Sequence, residues 1–71
     1  MEKIKISTPF IKLDQFLKFS GVSPDGADAK ELIKNNLVNV NGKIELQRGK
    51  KLYKGDKITV NLQKKYDFII E

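Results

Sequence analysis

Hydrophobic and polar positions alternate at the start of the chain, with Ile4 and Ile6 on one side and Lys3 and Lys5 on the other. A period of two predicts a half-buried strand. The pattern changes at Ser7-Thr8-Pro9, where a capping hydroxyl precedes a proline whose fixed φ suits the first helical position, so a helix is predicted to start there. Phe10, Leu13, Phe16 or Leu17, and Ser20 then recur at three-to-four spacing, while Lys12, Gln15 and Lys18 lie off that stripe. Gly21 is the expected stop, because glycine takes the left-handed conformation after a helix at least cost.

Val22-Ser23-Pro24-Asp25-Gly26 has turn chemistry throughout, and Ser23 or Asp25 is the expected cap of a second helix reaching about Asn35. Ala29, Leu32 and Ile33 form its apolar stripe, with Lys30 and Lys34 sharing an exposed face. Asn35-Asn36 closes that helix, since asparagine tolerates left-handed backbone. Leu37 to Val40 is predicted as a short strand, Asn41-Gly42 as a tight hairpin turn, and Lys43 to Leu46 as the returning strand. A second turn at Tyr53-Lys54-Gly55-Asp56 leads into an alternating strand, Lys57 to Leu62, with Ile58, Val60 and Leu62 inward. Tyr66 to Ile70 can add a last strand. With no repeat, linker or low-complexity segment, residues 1–71 are expected to form one small α+β domain.

Composition narrows what such a domain can do. With 71 residues the core must be thin, and only about 60% of the unfolded chain's surface is expected to be buried. The absence of cysteine and histidine removes disulfides, thiolate or imidazole zinc sites and Cys/His nucleophilic catalysis, so neither enzyme chemistry nor a cofactor is expected. No apolar run is long enough to cross a bilayer and the first residues do not form a signal-peptide core, which points to the cytoplasm.

Charge adds a candidate partner. Fourteen Lys+Arg against nine Asp+Glu leave a net +5, the balance of a polyanion binder. Between Lys43 and Lys57 stand six basic residues (Lys43, Arg48, Lys50, Lys51, Lys54, Lys57) and two acids (Glu45, Asp56), so four of the five net charges sit in this stretch. Arg48, Lys50 and Lys51 crowd a short connection around Gly49, where a packing purpose is hard to find and phosphate contact is the expected role. The plainer alternative is an edge protected from strand addition by lysine. Lys12, Lys18, Lys30 and Lys34 could line one face of the helix pair, or could be an ordinary solvated surface. Asp14 and Asp56 lie beside cap or turn positions and read as structural. Phe10, Phe16 and Phe19 read as core, leaving Tyr53 and Tyr66 as the better base-stacking candidates.

Four segments taken in order carry a resemblance. Lys12-Leu13-Asp14 with Leu17, Ala29-Lys30-Glu31-Leu32-Ile33, Val38-Asn39-Val40-Asn41-Gly42-Lys43 and Gly55-Asp56-Lys57-Ile58-Thr59-Val60 resemble, in order and spacing over residues 8 to 62, the RNA-binding domain first defined in small-subunit ribosomal protein four, the S-four domain. Chain length and Arg48-Gly49-Lys50-Lys51-Leu52 look most like its stand-alone bacterial, YaaA-like members.

The resemblance implies a helix pair packed against a small twisted, mostly antiparallel sheet, with RNA held by the helices and the Val-Asn-Gly hairpin. The family often has arginine where this chain has Lys12, which keeps the charge but forgoes bidentate geometry. It commonly has Ser-Arg where this chain reads Pro24-Asp25-Gly26-Ala27-Asp28, which weakens the case for RNA contact at the start of helix two. The resulting expectation is a monomer that binds structured RNA, ribosomal RNA being one candidate, through Lys12, Lys30, Lys34, Lys43, Arg48, Lys50, Lys51 and Lys54, with no membrane or small-molecule partner. An interaction module for an acidic protein is the main alternative. A sulfur-carrier or ubiquitin-like protein is weaker, because such carriers need a C-terminal Gly-Gly and this chain ends Phe68-Ile69-Ile70-Glu71.

Overall fold

In the computed structural model the described residues are 1–23 and 26–71. Seven strands and two helices follow one another as β1 (Glu2–Ile4), β2 (Ile11–Lys12), α1 (Leu13–Phe19), α2 (Gly26–Lys34), β3 (Val38–Val40), β4 (Lys43–Ile44), β5 (Lys51–Leu52), β6 (Lys57–Asn61) and β7 (Lys65–Ile70). The fold is the expected α+β arrangement of a helix pair on a mostly antiparallel sheet. Five strands make the main sheet in the order β1-β7-β6-β3-β4, and β2 with β5 forms a separate two-stranded ribbon. Within the main sheet β1 alone pairs in parallel, with Glu2 opposite Phe68 and Ile4 opposite Ile70.

Alternation along the strands sets which side faces the helices. Val38, Val40, Ile58, Val60, Phe68 and Ile70 point inward and meet Leu13, Phe16 and Leu17 from α1 and Ala29 and Ile33 from α2. Phe16 and Phe68 meet edge to face with centroids 5.4 Å apart, joining the helix layer to the sheet. The glycines and asparagines behave as their backbone freedom predicts: Asn36 (φ 62) ends α2, and Asn41 (φ 53) with Gly42 (φ 86) makes the β3–β4 hairpin.

Several sequence-based expectations are corrected. The first helix begins at Leu13 and not at Ser7-Thr8-Pro9; Thr8 uses its hydroxyl to donate to the Phe10 carbonyl (2.8 Å) in a bend. The reason is tertiary, because Ile11 and Lys12 pair with Leu52 and Lys51 before the helix can start. Phe10 therefore lies outside α1. Phe19 is 63% exposed, since at about 100° per residue it sits roughly 110° from the centre of the Leu13-Phe16-Leu17 stripe. The strand expected over Lys43 to Leu46 ends at Ile44, and Leu46 is 60% exposed. Leu62 is exposed as well, because β6 ends at Asn61 and Leu62 donates to the Lys64 carbonyl in the turn to β7. Ser23 is fully buried and closes α1 through its N–H on the Leu17 carbonyl (3.0 Å). The turn expected at Pro24-Asp25 and the cap expected at Asp25 lie outside the described residues.

Candidate nucleic-acid interface

The basic connection between β4 and β5 is held against the start of α1 by backbone hydrogen bonds. Leu13 N–H donates to the Lys50 carbonyl (2.9 Å) and Asp14 N–H to the Arg48 carbonyl (3.1 Å), so two of the amides that a helix start leaves unpaired are satisfied by this loop. Gln47 and Lys50 close the loop into a tight turn through an N–H···O bond of 3.2 Å. Side chains are left out of these contacts. Among the described residues the cationic groups of Lys30, Lys34, Arg48 and Lys50 have no acidic partner at ion-pair distance, and the ion pair that does form, Lys3 with Glu71 at 3.8 Å, is exposed.

This docking brings the loop beside α2. Lys30, Lys34 and Arg48 line one groove of about 280 Å³ whose apolar lining is Ile33 and Leu46. Three cations from two elements distant in sequence thus share one concavity. Lys12 and Lys51 are partners across the β2–β5 ribbon. Like charges directly opposite one another in a sheet repel, at a cost of a few tenths of a kcal/mol or more, and a bound anion would relieve it. Lys51 eases the repulsion in part by laying its ammonium over the Phe10 ring, 4.8 Å from the centroid. Lys43 opens β4 next to the Asn41-Gly42 turn, and Lys54 lies in the Tyr53–Asp56 turn.

Those two turns are joined by side chains. Asn41 Nδ2 donates to Asp56 Oδ1 (3.1 Å), Lys57 N–H donates to Asn41 Oδ1 (2.9 Å), and Tyr53 N–H donates to Asp56 Oδ2 (2.8 Å). The Asn-Gly and Gly-Asp motifs, fifteen positions apart from Asn41 to Asp56, are therefore one structural unit. Asp14 likewise accepts a backbone bond, from Gln15 N–H (2.8 Å). Both acids act on the backbone, as expected of structural residues. Among the described residues no group of three or more His, Cys, Asp or Glu side chains is placed to hold a metal ion.

The eight sequence candidates thus fall into three groups: Lys30, Lys34 and Arg48 in the groove with Lys50 next to them in the loop, Lys12 and Lys51 on the ribbon, and Lys43 and Lys54 at the joined turns. The docked loop links the first two groups, since Lys50 leads directly into β5. Sequence reasoning missed Leu46 as part of the groove lining and Phe10 as the ring under Lys51. Leu46, the end of an apolar alternation running past its strand, carried the sequence signal of that lining.

The S4 domain profile matches residues 4–67. The chain belongs to the S4 domain family. A relative named as a probable ribosome maturation protein, RlbA, of Bacillus subtilis (strain 168) is 40% identical over 57 residues, which is 80% of this chain and 80% of that protein. In this S4 domain the residues that carry the family resemblance divide by role: Leu13, Leu17 and Ala29 are core, and Asn41 and Asp56 join the turns. Its basic residues stay on the outside. Among the described residues no helix is long and apolar enough to cross a membrane.

Proposed function

We propose that this S4 domain is a non-catalytic RNA-binding protein that acts as a monomer in the cytoplasm on structured RNA, with ribosomal RNA as its target. The observation that carries the reading is the convergence of Lys30, Lys34 and Arg48 on one groove, beside a loop whose backbone is fixed to α1. Fixed backbone with free cationic side chains suits phosphate contact, which positions RNA without reading its sequence. The maturation role in the name of the Bacillus relative supports a ribosomal target. On this reading Lys12, Lys50 and Lys51 supply further phosphate contacts on the loop and ribbon, and Lys43 and Lys54 another at the joined turns.

If about six phosphates are neutralised, log affinity should fall against log salt with a slope of about −5. The deciding experiment measures binding of a folded ribosomal RNA fragment across a salt series, for the wild type and for two double variants of equal charge. Arg48→Ala with Lys50→Ala should weaken binding roughly tenfold or more and lower the salt slope by about 2. Lys3→Ala with Lys5→Ala should change it little. Equal losses would mean that overall charge and not a site is responsible. Lys12→Ala should fall between the two. Nuclease treatment of a native pull-down separates RNA from an acidic protein partner, because partners that survive digestion bind the protein itself.

A further inference from the structure

The β2–β5 ribbon presents two faces of opposite character. Ile11 and Leu52 are register partners and turn inward, Leu52 being fully buried and Ile11 packed against the core. Alternation sends their neighbours outward, so Lys12 and Lys51 share the outer face with the flanking Phe10 and Tyr53. The two rings lie 6.0 Å apart at 50°, and Tyr53 is 49% exposed. Tyr53 is also held in place, its N–H on Asp56 Oδ2 (2.8 Å) and its carbonyl accepting from Asp56 N–H (3.0 Å).

We propose that this outer face is a subsite for one unpaired nucleotide of the bound RNA: the base stacks on Tyr53 beside Phe10, and Lys12 meets the adjoining phosphate. The proposal rests on the RNA-binding reading above and goes beyond it, because that reading needs only phosphate contacts. Stacking on an aromatic side chain tolerates any base, since each has a π face. With its backbone tied to Asp56 and its ring beside Phe10, Tyr53 loses little freedom when a base arrives. With Lys51 already over Phe10, the ribbon offers an aromatic step between cations, a pairing suited to a base and its own phosphate.

The test uses two RNA hairpins of identical stem, one fully paired and one carrying a single bulged 2-aminopurine, whose fluorescence is quenched on stacking. The wild type should bind the bulged hairpin more tightly and quench it. Tyr53→Ala should lose roughly tenfold on the bulged hairpin, abolish the quenching and change binding to the paired stem less than about twofold. Tyr53→Phe should keep both affinity and quenching, and circular dichroism should show all variants folded. Absence of a bulge preference in the wild type, equal losses of Tyr53→Ala on both hairpins, or failure of Tyr53→Phe to retain quenching overturns the subsite. Should Arg48→Ala still weaken both hairpins in that event, the groove reading stands alone. Binding of neither hairpin by the wild type removes both.

Discussion

The joined turns and the basic loop are both exposed, both close to strand ends and both rich in residues that the sequence marks out, yet they are held in opposite ways. At the turns, Asn41 and Asp56 use their side chains to fix backbone and each other, three hydrogen bonds in all. In the loop, the Arg48 and Lys50 carbonyls fix backbone and their side chains remain free. A motif residue and a site residue can therefore be told apart by which of their atoms the fold consumes. Side chains that hold the scaffold cannot also be free to bind, and side chains that the scaffold ignores are available for a partner.

Asp56 is the position where the joined turns are most vulnerable. Asp56→Ala strips the acceptor from both Tyr53 N–H and Asn41 Nδ2, and should cost about 1–3 kcal/mol, read as a fall in Tm of several degrees by thermal unfolding. Its RNA salt slope should be unchanged, so a loss of slope with intact folding would move Asp56 from scaffold to site. Asn41→Ala should cost about 1–2 kcal/mol, losing one bond to Lys57 N–H and one to Asp56 and placing alanine at φ 53. Asn41→Gly separates the two causes, since it relieves the strain but not the lost bonds.

Glycine substitutions sharpen the contrast at a smaller scale. Gly55 in the turn has φ +94 and open space where an added methyl would sit, so Gly55→Ala should cost about 1 kcal/mol from backbone strain alone. Gly49 in the basic loop has equal space and no left-handed φ, so Gly49→Ala should be neutral or stabilising by a few tenths of a kcal/mol in denaturant unfolding. The smallest effect belongs to Arg48→Ala with Lys50→Ala on stability, within about 0.5 kcal/mol, the same pair that should dominate the loss of RNA affinity. Marked destabilisation by that pair would show that the loop needs its side chains to stay docked.

Most of the fold was legible because local signals and tertiary demands agreed. Asn41-Gly42 and Gly55 require positive φ whatever surrounds them, and Ile58 and Val60 alternate within a strand paired on both sides. The failures lie where a distant segment overrules a local preference. Ser7-Thr8-Pro9 is a sound helix start in isolation, yet β5 claims Ile11 and Lys12 first, and no local pattern around Lys51-Leu52 announces that pairing. The same event left Phe10 half-buried outside the helix and made Tyr53 its neighbour. Site legibility follows the same line. Arg48 and Lys50 stood out by charge density, whereas the meeting of Arg48 with Lys30 and Lys34 depends on loop docking through backbone carbonyls, which carry no sequence identity.

The parallel pairing of β1 with β7 sets an order of assembly. Glu2, Lys3 and Ile4 find their partners in Phe68, Ile69 and Ile70, so β1 must wait for a segment more than sixty residues away before it can pair. Closing so long a loop is entropically late and kinetically slow compared with the β3–β4 hairpin. During synthesis, when the N-terminal part emerges first, Ile4 and Ile6 remain exposed until the last strand is free. Lys3 and Lys5, interleaved with them, are charges of the kind that keep an unpaired strand soluble and unattractive to its neighbours.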